Sequence, residues 1–292
     1  MFSGFERHTA AVNGTQVNYV RGGSGPALLL LHGHPQTHAI WHKVAQQLAA
    51  RFTVIAADLR GYGDSGKPQG LPDHSNYSKR VMGQDQIDLM AQLGFSEFLL
   101  MGHDRGARVG YRMALDHPQA IRKLVLLDVA PTLAMYEKTT REFATAYYHW
   151  FFLTRPAPFP ETLINSHPET YLQHTIGGRS AGLAPFTPEA YAQYLRCLQD
   201  PATVHGICED YRASAGIDLE HERADLAAGV KIRCDTLVLW GGHGVIEKCF
   251  DPLSEWRRLA VNVSGKALAC GHYIPEEAPD TLLAEVLPFL GI

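Results

Sequence analysis

The 292-residue chain predicts a doubly wound, mostly parallel α/β sheet interrupted by a helical cap, and three observations carry that prediction. Residues 8 to 20 alternate apolar and polar about Asn13-Gly14, a strong hairpin signal. Five compact apolar runs follow: Ala27 to Leu31, Phe52 to Ala57, Phe98 to Met101, Leu124 to Leu127 and Thr236 to Trp240. Most are separated by segments long enough for helical crossovers. From about Pro131 to about Leu226 the sequence is rich in aromatic residues and helix-like, without a buried-strand run. The expected organisation is therefore a core in two parts, 1–130 and 227–292, around a cap at 131–226.

Composition narrows the class. With 46% hydrophobic and 19% charged residues, and no apolar run near the about 20 residues that cross a bilayer, the chain reads as a soluble globular protein with no membrane partner. A formal net charge of -4 and the lack of any dense Lys/Arg run exclude the electrostatic footprint of nucleic-acid binding. The start, Met1 to His8, lacks the basic, apolar and small-residue segments of a secretory signal, so a cytoplasmic protein is expected. The five cysteines, Cys197, Cys208, Cys234, Cys249 and Cys270, form no C-x-x-C pair and read as buried free thiols.

Along the chain, the opening hairpin gives two antiparallel strands. The first parallel run leads into His32-Gly33-His34-Pro35, a turn whose backbone N–H groups suit an oxyanion site; the alternative is an ordinary turn shaped by Gly and Pro. The run Phe98 to Met101 leads into Gly102-His103-Asp104-Arg105-Gly106, and Ala107 to Leu115 reads as a helix. Strand, tight glycine-flanked turn and helix make a nucleophile elbow with a carboxylate at its tip, so Asp104 is the candidate nucleophile. The N–H groups of His34 and Arg105 are the candidate oxyanion donors.

Asp128 ends the next run, and His272 follows Ala267 to Cys270 on a predicted loop before an amphipathic helix, Thr281 to Leu290. Asp104, Asp128 and His272 thus occur in the order nucleophile, acid, base at the carboxyl edge of one sheet. Histidine takes a proton from water near neutral pH, and a carboxylate holds its tautomer. With 15 histidines in the chain, a chance ordering is the alternative.

Arg105 and Arg108 share one face of the first turn of the elbow helix. Cations there oppose the helix dipole by about 0.3–1 kcal/mol, so an anion is expected to join them, and a carboxylate fits the guanidinium fork. The alternative is a salt-bridged surface face, which is how Arg112 is read. In the cap, Tyr147 to Phe152 is too aromatic for a solvated helix, and core packing accounts for much of it. Pro156-Ala157-Pro158-Phe159-Pro160 is a stiff connection and Gly177-Gly178 a flexible one, so several short helices are expected.

Taken together these motifs resemble those of the fluoroacetate dehalogenases, a branch of the α/β-hydrolase superfamily, over nearly the whole chain. The likeness rests on His32-Gly33-x-Pro35-Gln36-Thr37, Gly102 to Arg108, Tyr148-His149-Trp150, Cys208-Glu209-Asp210-Tyr211-Arg212, and Gly271-His272 with Pro275-Glu276-Glu277. It implies an eight-stranded α/β-hydrolase sheet with Asp104 as nucleophile, His272 as base and Asp128 as its orienting acid. Arg105 and Arg108 would bind the substrate carboxylate, and His149, Trp150 and Tyr211 the halide. The implied substrate is a small halogenated carboxylic acid, with no metal or organic cofactor and a homodimeric assembly. One departure is His34, where the family's H-G-x-P motif carries an aromatic residue such as Phe or Tyr. Epoxide hydrolases resemble the chain too, and Tyr147, Tyr148 and Tyr211 keep that alternative open. Haloalkane dehalogenases typically place Trp where Arg105 stands. A non-catalytic receptor for a small acid is a third reading, against which the complete Asp, His, Asp set argues.

Overall fold

The apolar runs become strands of a single sheet. A computed structural model describes residues 1–179 and 181–291 and contains β1 (Glu6–Val12), β2 (Thr15–Gly22), β3 (Ala27–Leu31), β4 (Thr53–Ala57), β5 (Phe98–His103), β6 (Ile121–Leu127), β7 (Asp235–Gly241) and β8 (Val263–Leu268). Their spatial order is β1-β2-β4-β3-β5-β6-β7-β8. The β1/β2 and β2/β4 pairs are antiparallel, and the remaining pairs are parallel. Asn13 and Gly14 take φ of 43° and 72°, the left-handed pair that a two-residue hairpin turn requires.

The interior strands are apolar on both faces because both are covered. Leu29, Leu31, Ile55, Leu100, Leu124, Leu126 and Val238 pack on the side of the elbow helix, Arg105–Asp116, with Val109 and Met113. Leu28, Leu30, Val54, Leu99, Met101, Val125 and Leu239 pack on the other side, against Trp41, Leu48 and the last helix, Pro279–Leu290. The two sets alternate along each strand, as a period of two demands.

The topology places the site. β3 lies between β4 and β5, so the chain leaves it in one direction for β4 and later returns on its other side, which is a switch point where loops diverge and a crevice opens. Leu31 pairs with Gly102, and His103 with Leu127. The turn after β3, the elbow after β5 and Asp128 after β6 therefore stand side by side.

Between β6 and β7 the described residues form eight helices, from Thr132–Glu137 to Ile217–Ala228. The aromatic run does not form one helix: Arg141–Ala146 ends before Tyr147, and His149–Phe152 is a single turn. β8 starts earlier than the apolar run Ala267 to Cys270 because it is an edge strand, exposed over much of its length, where hydrophobic pattern gives no signal. No helix among the described residues is long and apolar enough to cross a membrane. All five cysteines are free; Cys197, Cys208 and Cys270 are buried, whereas Cys234 and Cys249 are partly exposed.

Candidate active site

Asp104 sits at φ 46°, ψ −111° between β5 and the elbow helix, a conformation that costs a non-glycine residue about 1–3 kcal/mol and persists only where the surroundings impose it. Here they do. A Cβ at Gly102 would lie 2.6 Å from the Ala107 nitrogen, and one at Gly106 would lie 2.3 Å from the Leu31 oxygen. Only glycines let helix and strands approach so closely. Asp104 is 1% exposed, and its Oδ2 faces the turn after β3 and the loop that carries His272.

His272 lies on the loop after β8, with Nδ1 2.5 Å from Asp128 Oδ2 and Nε2 3.9 Å from Asp104 Oδ2. Burial and the nearby Arg179 cation push the imidazole pKa down, but the Asp104 and Asp128 carboxylates outweigh them and raise it above its usual value. Burial likewise opposes ionisation of Asp104, yet His272 and the field of Arg179 prevail and hold this carboxyl well below the ordinary range. Asp128 Oδ1 accepts from the Gly241 N–H at 2.8 Å, which fixes the carboxylate's orientation. His103, tied to the His272 carbonyl at 2.8 Å, is kept neutral mainly by burial, its pKa pushed down to about 3.

The turn after β3 presents the His34 N–H to Asp104 Oδ2 at 3.1 Å. Leu59 N–H donates to His32 Nε2 at 3.1 Å, so His32 carries its proton on Nδ1 and donates to the Gly33 carbonyl at 2.9 Å. Arg105 opens the elbow helix, where an N–H has no intrahelical acceptor.

The two arginines differ in their surroundings. Arg105 holds Asp210 bidentately, through Nε and Nη2 at 2.8 Å each, and reaches Ser214 Oγ at 2.5 Å. Asp210 is also bound by Lys79 and by the Tyr62 hydroxyl, and Arg105 Nη1 has no hydrogen-bond partner among the described residues. Arg108 has no carboxylate partner among the described residues. Its Nη1 meets the Ala130 carbonyl and Thr132 Oγ1 at 3.1 and 2.9 Å, its Nη2 lies 3.0 Å from Met135 Sδ, and Nε is unpartnered. Arg112, read from sequence as a surface charge, is buried and paired with Asp116 and Asp225.

The three cap donors converge on the same place. His149 Nε2, Trp150 Nε1 and Tyr211 Oη are buried and have no hydrogen-bond partner among the described residues. The Arg105 guanidinium lies 4.1 Å from the Tyr211 ring centre, and that of Arg108 lies 4.6 Å from the Trp150 ring. The candidate carboxylate and halide ligands thus form one interleaved stack. Burial first, then Arg179, pushes the His149 pKa well down and keeps the ring neutral. His34 joins the group through its side chain: its ring is 5.9 Å from His149 and 5.4 Å from Tyr211, Nε2 meets Tyr171 Oη at 3.0 Å, and Nδ1 is unpartnered.

Sequence reasoning missed three residues. Asp210 belongs to the Cys208-Glu209-Asp210-Tyr211-Arg212 motif, but nothing local marks it as the partner of Arg105. Tyr147, named in the sequence for the aromatic run and for the epoxide alternative, lies 3.5 Å from His272 Nδ1, a contact the sequence does not mark. Arg179 gave no signal beyond following Gly177-Gly178, yet it touches the candidate base.

This sheet order, elbow and Asp–His–Asp arrangement define a hydrolase class, and the α/β-hydrolase fold family matches residues 26–260. The chain belongs to that family. It is 46% identical to the fluoroacetate dehalogenase of a Burkholderia species, over all of this chain and 95% of the relative. It is 32% identical to the soluble epoxide hydrolase of a Corynebacterium strain, over 97% of this chain and 96% of that protein. Among solved structures it superimposes on ALR0039 of Nostoc sp PCC 7120, described as an α/β hydrolase, with a TM-score of 0.98 and 52% identity over 100% and 99% of the two chains.

Proposed function

We propose that this hydrolase removes halide from haloacetates, converting fluoroacetate to glycolate and fluoride through an ester on Asp104. One observation carries the reading. Five buried donor atoms, Arg105 Nη1, Arg108 Nε, His149 Nε2, Trp150 Nε1 and Tyr211 Oη, have no partner among the described residues. Unmade buried hydrogen bonds cost about 1–3 kcal/mol each, so such a cluster is expected to serve a bound anion.

Asp104 is ionised at neutral pH, as a nucleophile must be. Its Oδ2 is engaged by the His34 N–H, leaving Oδ1 to attack the carbon that bears halogen, opposite the departing halide. Two guanidinium groups hold the substrate carboxylate and orient that carbon, replacing a free encounter by a positioned one. The neutral ring N–H of His149, the indole N–H and the phenol receive the halide, which matters most for fluoride, the poorest leaving group. After alkylation of Oδ1, Oδ2 is the ester carbonyl oxygen, already in front of an oxyanion donor. Water then attacks the ester carbon, its proton passes to His272 Nε2, and Asp128 steadies the imidazolium. Collapse of the tetrahedral intermediate, with His272 returning its proton to the departing oxygen, releases glycolate, and loss of the remaining proton to solvent restores the Asp104 carboxylate.

The epoxide reading draws on Tyr211, whose free hydroxyl could protonate an epoxide oxygen, and on the Corynebacterium relative. A neutral epoxide would leave the buried Arg108 cation without any anion, which disfavours it. The test is halide release from fluoroacetate and chloroacetate by purified protein, with Asp104→Asn as control. Release by the wild type that the substitution abolishes supports the proposal. No release, with turnover of a small epoxide, overturns it.

A further inference from the structure

Arg179 belongs to the cap, two residues after the helix Pro168–Gly177, yet most of its bonds run to the core. Its carbonyl accepts the His272 N–H at 3.0 Å. A Cβ at Gly271 would approach that carbonyl to 2.8 Å, so the loop carrying the base is built to fit this one cap residue. The guanidinium reaches His272 Nε2 at 3.3 Å, the His34 carbonyl at 3.2 Å and Tyr273 Oη at 2.6 Å, while Nε is anchored on the Thr175 carbonyl at 3.1 Å. It also lies 5.2 Å from the Tyr273 ring and 5.7 Å from the Tyr147 ring. One cap residue thus grips the base through both backbone and side chain and grips the oxyanion turn as well.

Its position relative to solvent reinforces the point. A cavity of about 340 Å³, lined among others by Tyr147, Arg179, His243, Lys248, His272 and Glu277, leads to the base. A second of about 200 Å³, lined by Tyr148, His149, His174 and Arg179 among others, leads to His149, one of the candidate halide ligands. Arg179 stands between the two.

We propose that Arg179 is a positioning residue for His272: by donating to Nε2 it favours the imidazole tautomer protonated on Nδ1 and clasps the cap to the loop that carries it. The chemistry is constrained. Arginine only donates, so the contact requires a lone pair on Nε2, and it must give way when Nε2 takes the proton of the hydrolytic water. Arg179 therefore acts on the hydrolytic half of the reaction and disfavours the imidazolium. The groups facing His272 are Asp128 at the end of β6, Asp104 at the elbow, His103 on β5, Tyr147, His149 and Arg179 from the cap, and Tyr273 and Glu277 beside it. Among these only Arg179 is a permanent cation.

The role of His272 rests on the dehalogenase reading, so the primary test needs no substrate. The imidazole of His272 is titrated by NMR in the intact free protein, assigned through His272→Gln. Removing a contacting cation is expected to raise its midpoint by about 1 pH unit in Arg179→Met and Arg179→Gln, and Arg179→Lys recovers part of the change. Lys248→Ala, which removes an exposed cation in the same cavity, leaves the midpoint in place. With chloroacetate, the acid limb of ester hydrolysis moves up with the midpoint while the burst of halide release is retained. An unmoved midpoint in folded Arg179→Met and Arg179→Gln overturns the proposal, as does an equal fall in both half-reactions at an unchanged acid limb. Failure of the wild type to release halide would instead count against the dehalogenase reading and leave the titration to decide on Arg179.

Discussion

Replacing Arg108 by methionine is expected to weaken carboxylate binding strongly while leaving the fold close to its original stability. Arg108 is 1% exposed and has no direct carboxylate partner among the described residues. Its nearest acidic connection runs through two hydroxyls: Arg108 to Thr132, Thr132 to Tyr111 at 2.8 Å, and Tyr111 to Glu222 at 2.9 Å. A charge-assisted hydrogen bond contributes about 1.5–3 kcal/mol, so the KM for a haloacetate and the Ki for acetate should rise by about 10- to 150-fold. Against folding, the substitution leaves the Ala130 carbonyl and Thr132 with one donor fewer, about 1–3 kcal/mol, and removing a desolvated cation that no carboxylate pairs offsets part of that cost. The net loss is therefore expected to stay below about 3 kcal/mol.

Arg105 to methionine is the necessary contrast. It strips the bidentate partner from buried Asp210, and breaking such a pair costs about 3–5 kcal/mol. Urea unfolding with a shared slope measures both stabilities, and acetate competition measures the affinity. If Arg108→Met loses as much stability as Arg105→Met, or binds acetate as tightly as the wild type, the assignment of Arg108 as a cation held for a substrate anion is wrong.

Two further outcomes follow from buried groups. Trp150→Phe keeps the ring under Arg108 but deletes the unpartnered indole N–H, so fluoride release should fall by about 10²–10³, bromide release should fall less, and thermal unfolding should move little. Glu276, buried against Tyr194 and near Lys43, has its pKa pushed up by burial to about 7. A carboxyl whose folded pKa is raised favours folding in its protonated form. Its ionisation therefore costs nothing below about pH 4 and increasingly more up to about pH 7. Glu276→Gln should raise stability relative to wild type progressively across that window, by an amount of order 3 kcal/mol at its upper end, and denaturant midpoints measured at pH 4 and pH 8 would reveal it. Equal differences at the two pH values would contradict the shift.

Much of the fold was legible because the signals are local. A strand covered on both faces must be apolar throughout, so Ala27 to Leu31 coincides with β3, and Asn13-Gly14 turns where its backbone tolerance allows. The elbow was legible for a steric reason: Gly102 and Gly106 leave no room for a Cβ. The strand β8 was legible only at its buried end, since its edge is exposed.

The site divides in the same way. Asp104, Asp128 and His272 could be ordered from sequence because each follows a recognisable strand, and the sheet order brings β5 and β6 together. What the chain alone left open was which cation is free: Arg105 and Arg108 look alike three residues apart, and only the distant Asp210 makes one an ion pair and the other a lone charge. Arg179 was invisible for the same reason, since its contacts span 93 residues to His272 and 145 to His34. Periodicity and turn chemistry act over a few residues and so determine the elements. Charge pairing acts through space, and only the folded cap decides which charges meet.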